Sequence, residues 1–295
     1  MKFRFWGVRG SIACPGPHTI KYGGNTTCIE IRTDNNELII LDAGTGIFPL
    51  SHTLFKELPL TCHVFVTHTH WDHIQGLPFF IPTFIPGNTI HLHGAFDPIR
   101  NGDLREVLSR QMDYCYFPVR EAELQANMHY VTLRERQAIQ VGEAKVINIF
   151  MNHPVLNFGY RVDCGGKSLF FTGDHEPMSN IYDEGDAEFA EYQTLLDRKH
   201  RAIVEFIRDV DVLIADTSYT PEEYKTKKGW GHGTYDTSIA LARECGAKKL
   251  FFTHHEPTRS DAALEKVFQE AMERHPRQPR DPDYQLAQEG VVFEV

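Results

Sequence analysis

The chain has 295 residues, of which 41% are hydrophobic and 24% charged. That composition suits a globular protein with a sizeable core and excludes a disordered, collagenous or coiled-coil chain. Thirty Lys and Arg face forty Asp and Glu, a formal charge of −10 without a basic tail or stripe. Duplex DNA held through its phosphates is therefore not an expected partner, whereas a metal could still serve a small phosphate ester.

Short apolar runs bounded by turn residues predict strands at 2–6, 28–33 and 38–41, with Asp34-Asn35-Asn36 as a hairpin turn. A buried-type strand at 63–67 runs into a histidine cluster, and another strand follows at 89–93. A helix is predicted over 103–112. Strands at 145–150, 160–163 and 168–172 come next, the last two joined through Gly165-Gly166. A long charged helix over 186–208 leads to a strand at 212–215. Helices over 235–244 and 261–274 flank a strand at 249–253. The Pro-rich stretch 276–282 reads as a surface loop before a final strand at 291–294. No internal linker or repeat interrupts the chain. The pattern fits one α/β domain over 1–295, of two sheets with outer helices.

Six cysteines lie far apart with no CxxC pair, as free thiols of a reducing compartment do. The N-terminus lacks a signal-peptide core, and no apolar run approaches the roughly eighteen residues of a membrane span. A cytoplasmic protein without a membrane partner is expected.

Four potential metal ligands fall within His68-Thr69-His70-Trp71-Asp72-His73, directly after a strand. Imidazole and carboxylate are the usual ligands of zinc and related divalent ions. The i, i+2 spacing at a strand end would point His68 and His70 to one side. A turn would bring Asp72 and His73 to a second position nearby.

This segment resembles the HxHxDH signature of the metallo-β-lactamase superfamily. Asp42 in Leu41-Asp42-Ala43-Gly44, His153 in Asn152-His153-Pro154, Asp174 in Thr172-Gly173-Asp174 and His254 in Thr253-His254-His255 match its other motifs in order. The resemblance implies a four-layer αββα sandwich with two divalent ions at one edge, zinc first among them and manganese or iron as alternatives. By position, His68, His70 and His153 would hold one ion. Asp72, His73 and His254 would hold the other, and Asp174 would bridge them. His254 is preferred to His255 as the first residue past its strand. Asp42 would orient a ligand from behind, or form an ordinary turn. Two ions roughly 3.5–4 Å apart polarise an ester and generate hydroxide near neutral pH, with Asp72 also able to act as base.

Asp216 ends a strand, and sixteen residues later His232 stands in Gly229-Trp230-Gly231-His232-Gly233-Thr234, opening a helix. This is similar to the ribonuclease Z-like phosphodiesterases, where a carboxylate pairs with a histidine that serves the phosphate. A His held by a carboxylate can act as general acid to a leaving alkoxide. The alternative for His232 is a helix-entry residue. Gly7-Val8-Arg9-Gly10-Ser11 and Tyr22-Gly23-Gly24-Asn25-Thr26-Thr27-Cys28 resemble the opening of a bacterial subgroup of the superfamily. Arg9 would contact a substrate phosphate or serve as a structural arginine on loop carbonyls. Asn25 and His175 are further candidates for the pocket. Ribonuclease Z carries a long tRNA-binding arm between the third histidine and the bridging aspartate. Only twenty residues separate His153 from Asp174, so tRNA is not the expected substrate.

The expected activity is hydrolysis of a small phosphodiester: a cyclic nucleotide, a cyclic sugar phosphate or a short nucleotide. A thioesterase, lactonase or β-lactam hydrolase of the same fold is the alternative, and a di-iron redox or oxygen-sensing module the next. His70 stands where flavodiiron relatives carry Glu, which favours hydrolysis. Residues 75–130, with Tyr114, Tyr116 and Phe117, would form a lid or an oligomer contact. A homodimer is the default assembly.

Overall fold

The computed structural model describes residues 1–295. Its first half supplies β1 (Lys2–Gly7), β2 (Cys28–Arg32), β3 (Leu38–Leu41), β4 (Thr61–Phe65), β5 (Thr89–Gly94) and β6 (Asn127–Thr132). The second supplies β7 (Ala138–Val141), β8 (Ala144–Met151), β9 (Asn157–Cys164), β10 (Lys167–Phe171), β11 (Val212–Asp216), β12 (Lys249–Thr253) and β13 (Asp283–Leu286). The last strand, β14 (Val292–Glu294), returns to the first half. Two seven-stranded sheets result, ordered β14-β1-β2-β3-β4-β5-β6 and β13-β12-β11-β10-β9-β8-β7.

Strands β3 to β6 run parallel, as do β10 to β13. Leu38-Ile39-Ile40-Leu41 and the whole of β11 are buried, as parallel strands covered on both faces must be. Phe3, Phe5, Ile39, Phe65, Phe171, Ile214 and Phe251 meet between the sheets. The helices α1 (Ile47–Thr53), α2 (Trp71–Ile74) and α3 (Leu104–Arg110) follow the first-sheet strands, and Leu50 and Leu104 join that sheet's outer core. The helices α4 (Phe189–Phe206), α5 (Pro221–Tyr224), α6 (Tyr235–Cys245) and α7 (Asp261–Arg274) belong to the second half. Ile203, Ile239 and Ala271 pack on its sheet. The layers are helix, sheet, sheet, helix: the αββα sandwich.

Some elements differ from expectation. The strand predicted at 63–67 ends at Phe65, so the histidines follow a short loop rather than the strand itself. Strands β6, β7 and β13 and helix α1 lacked a sequence signal. β6 and β7 alternate half-exposed residues at sheet margins. α1 carries Pro49, which its first turn tolerates. The Pro-rich stretch precedes β13 rather than the final strand. Of residues 75–130, the segments 89–94 and 127–132 are β5 and β6 of the first sheet. The intervening loops and α3 supply Phe79, Phe96, Arg110, Tyr116 and Phe117 to a cleft that His68 and His153 also line. No helix is long and apolar enough to cross a membrane.

Candidate metal centre

The loops leaving β3, β4, β8, β10, β11 and β12 meet at one edge of the sandwich. Asp42 and His254, each the first residue past its strand, adopt left-handed backbone with φ of 62° and 58°. That sparsely populated conformation recurs where a side chain is held for function.

The cluster is assembled by side chains that fix ring orientation. His73 Nδ1 donates to Asp42 Oδ2 at 2.7 Å. Asp42 also accepts from the Thr67 amide at 2.7 Å and the Thr67 hydroxyl at 2.9 Å. A proton on His73 Nδ1 leaves the Nε2 lone pair free. His153 Nδ1 donates to the Gly231 carbonyl at 2.9 Å, which frees its Nε2 in the same way. His254 Nδ1 lies 2.9 Å from Ser218 Oγ, whose hydroxyl reaches Asp216 Oδ1 at 2.8 Å. The amide of Ser11 donates to Asp72 Oδ2 at 2.6 Å.

The freed atoms converge. His70 Nδ1 and His153 Nε2 are 3.2 Å apart. His68 Nε2 lies 3.5 Å from Asp174 Oδ2. Asp174 Oδ1 is 3.1 Å from His73 Nε2 and 3.2 Å from His254 Nε2. His254 Nε2 is also 3.1 Å from Asp72 Oδ2. Three overlapping donor sets share Asp174: His68, His70 and His153 with it, Asp72, His73 and His254 with it, and Asp216, His232 and His254 with it. His68 Nε2, His73 Nε2 and Asp174 Oδ1 are buried with no hydrogen-bond partner. Buried lone pairs facing one another are costly unless a cation or proton sits between them. Orphaned atoms and an imidazole–carboxylate donor set together fit divalent ions.

Burial pushes the Asp72 and Asp174 carboxyls up, but the adjacent His73 and His254 imidazoles more than reverse it and hold both well below the usual carboxylate range. Burial holds His68 well below the usual imidazole range.

Beside this cluster His232 Nδ1 donates to Asp216 Oδ2 at 2.9 Å, and its ring stacks on His254 at 4.8 Å. Burial lowers its pKa, yet Asp216 and Asp174 outweigh burial and raise it to about 9. Its side chain keeps 13% exposure, against 0% for Asp216, so a proton on it can reach a bound molecule.

Two glycines permit the close approach. A Cβ on Gly10 would stand 2.2 Å from the His254 ring, and one on Gly231 would stand 2.2 Å from His153 Nδ1. Glu176 holds the second of these loops. Its carboxylate accepts from the Gly229 and Gly231 amides at 2.7 and 2.8 Å and from the Tyr224 hydroxyl at 2.6 Å.

Three candidates fall outside the cluster. Arg9 is fully buried, and its guanidinium donates to the carbonyls of Gly23, Glu256 and Arg259. It braces loops and does not face a ligand. Asn25 is engaged by Glu289 and Thr45. His175 takes the Asn152 amide on Nδ1 and lines a separate recess of about 330 Å³ behind Asp216. His255 donates to the Ala287 carbonyl at 2.9 Å and points away from the cluster. His91 and His93 stack with His63 and His129 across β4, β5 and β6. Sequence reasoning missed Thr67, Ser218 and Glu176. Thr67 precedes the histidine motif and could have drawn notice; Ser218 and Glu176 carry no signal in the chain.

The sandwich and its histidine–aspartate cluster define a metal-dependent hydrolase. The chain belongs to the metallo-β-lactamase superfamily: residues 38–255 match the beta-lactamase superfamily domain. It is 24% identical over 275 residues to ribonuclease Z of Porphyromonas gingivalis, covering 80% of this chain and 84% of that one. In structure it resembles YhfI, a metallo-beta-lactamase fold protein of Bacillus subtilis, with TM-score 0.68, 16% identity and coverage of 100% and 98%. It also resembles a diphosphatase of the PhnP family, with TM-score 0.64, 21% identity and coverage of 100% and 97%.

Proposed function

We propose that the protein is a dinuclear metal-dependent phosphodiesterase acting on a small phosphodiester. His68, His70 and His153 would hold one ion, Asp72, His73 and His254 the other, and Asp174 would bridge them. The observation that carries the reading is the Asp216–His232 pair beside the cluster. Thioester, lactone and β-lactam hydrolysis do not require such an acid. Similarity to ribonuclease Z and to a PhnP-family diphosphatase supports phosphoester chemistry.

Bound divalent ions would supply Lewis acidity, charge neutralisation and a nucleophile at neutral pH. This chain's own residues do the rest. Hydrolysis places the oxygen of water on phosphorus and breaks the bond to the leaving oxygen. Asp216 accepts from His232 Nδ1 and stabilises the imidazolium. His232 Nε2 then gives its proton to the departing alkoxide, and the proton released from water restores it. Asp42, Thr67, Ser218 and the Gly231 carbonyl keep the histidine lone pairs aimed inward. Zinc is the first candidate, and manganese or iron fits the same donors.

The test is hydrolysis of bis(p-nitrophenyl) phosphate with Zn²⁺ or Mn²⁺, beside p-nitrophenyl acetate and a chromogenic β-lactam. Diester turnover should dominate. In His232→Ala it should fall by about 10²–10⁴-fold with metal content retained. Undiminished turnover in that variant would remove His232 from the role of acid.

A further inference from the structure

The cleft beside the histidine cluster holds about 1170 Å³. Ordinary small-molecule sites span roughly 300–1,000 Å³, so a cyclic mononucleotide or a cyclic sugar phosphate would leave much of it vacant. His68 and His153 line it, together with residues of the 95–117 segment, of the loop after β8 and of α4.

The charge in this cleft is opposite to that of the whole chain. Arg100, Arg110, Arg136, Arg198 and Lys199 line it, against only Asp97 and Glu135. Asp97 is taken up by the Ile99 and Arg100 amides, and Glu135 by the Phe150 amide. Arg100 approaches Asp97 at 3.8 Å. The other four cations make no ion pair. Elsewhere some arginines find carboxylates, as Arg32 does with Glu57 and Arg243 with Asp281. In a chain of net charge −10, four unpaired cations in one cleft beside a hydrolytic centre indicate an anionic ligand. Arg136 sits at a left-handed position, φ 60°, with its guanidinium 5.6 Å over the Phe206 ring.

Part of the lining is aromatic: Trp71, Phe79, Phe96, Tyr116, Phe117 and Phe150. Phe79 and Phe117 meet edge to face at 5.2 Å, and Trp71 and Tyr116 are 77% and 74% exposed. Exposed rings beside cations form the surface that nucleotides use, with bases on π-faces and phosphates on guanidinium or ammonium groups.

We propose that the cleft binds a linear nucleotide diester that carries a second phosphate. This rests on the phosphodiesterase reading above. The scissile diester lies at the histidine cluster and a base lies on the aromatic side chains. The second phosphate is received by Arg198 and Lys199 of α4, with Arg136 nearby on the same cleft.

The test compares adenylyl-adenosine with and without a 5′ phosphate. Binding of 3′-labelled dinucleotides to metal-free protein is read by fluorescence anisotropy at two salt concentrations, and kcat/KM is read in the metal-loaded enzyme. The 5′-phosphorylated dinucleotide should bind at least tenfold more tightly, and the preference should shrink as salt rises. In Arg198→Glu/Lys199→Glu the preference should collapse toward one in both readouts. Both side chains are exposed on α4, and circular dichroism checks that the variant folds. A preference near one in the native chain, or one that survives in the variant, would overturn the subsite. If bis(p-nitrophenyl) phosphate is hydrolysed while the preference is absent, the subsite alone fails. If no diester is hydrolysed, the phosphodiesterase reading fails and takes the subsite with it.

Discussion

Asp42 shows how much one residue can decide. It is fully buried, left-handed at the end of β3, and accepts three hydrogen bonds from Thr67 and His73. Those bonds set the His73 tautomer. Asp42→Asn keeps the shape but presents an amide that can turn a donor toward Nδ1. Metal affinity should fall by about 10–100-fold, the usual cost of losing such support, as chelator competition would measure. Equal affinity would make Asp42 a turn residue only. The carboxylate was legible in the chain because it ends an apolar strand before Gly44. Thr67 and Ser218 were not, because a hydroxyl acquires meaning only from the ring beside it. Arg9 shows the reverse case: an arginine in a glycine-rich motif suits a phosphate equally well until its carbonyl partners are seen.

At the scale of elements, parallel pairing puts the same residue type in register. His63, His91 and His129 align across β4, β5 and β6. His63 Nδ1 lies 3.1 Å from His93 Nε2. Burial, reinforced by neighbouring rings, lowers His63 to about 4 and His93 to about 3. The unfolded chain binds these protons near pH 6.5, so between pH 6.5 and 4 it takes up protons that the folded chain refuses. Stability is therefore full above pH 6.5 and declines as pH falls through that window. The urea midpoint should drop over this range, and His93→Phe should flatten the drop relative to the native chain. Parallel curves would show that the ladder contributes nothing. The strong central elements were legible: β3, β12 and α7 fall at the predicted residues. The marginal strands were not, because half-exposed edges such as Ala138–Val141 owe their conformation to a partner strand rather than to their own pattern.

At the scale of the molecule, each sheet supplies half of a site that neither contains. His68, His70, Asp72 and His73 follow β4 of the first sheet; Asp216 ends β11 of the second, and His153, Asp174 and His254 follow other strands of it. A cation shared between them would tie the halves together. At a hundredfold excess over Kd, metal should add about 2.7 kcal/mol to stability. For a chain of this size, at about 2.1 cal/mol/K of unfolding entropy per residue, that corresponds to roughly 4 °C in Tm. Dialysis against a chelator should lower Tm by that amount, and readdition of Zn²⁺ should restore it. A Tm indifferent to both treatments would mean that no ion bridges the sheets.

The chain alone determined the α/β class, the superfamily and the identity of the clustered histidines and aspartates. Alternation, strand length and short ligand motifs are local properties, and each is written within about ten residues. Tertiary structure decided what depends on distant partners. It turned His254 inward and His255 toward Ala287. It buried Arg9 among loop carbonyls and enlisted Ser218 and Glu176. It also collected unpaired cations into one cleft of an acidic protein. Net charge is a sum over the surface, whereas a ligand meets only the field of the cleft it enters, and that field exists only once the two sheets have packed.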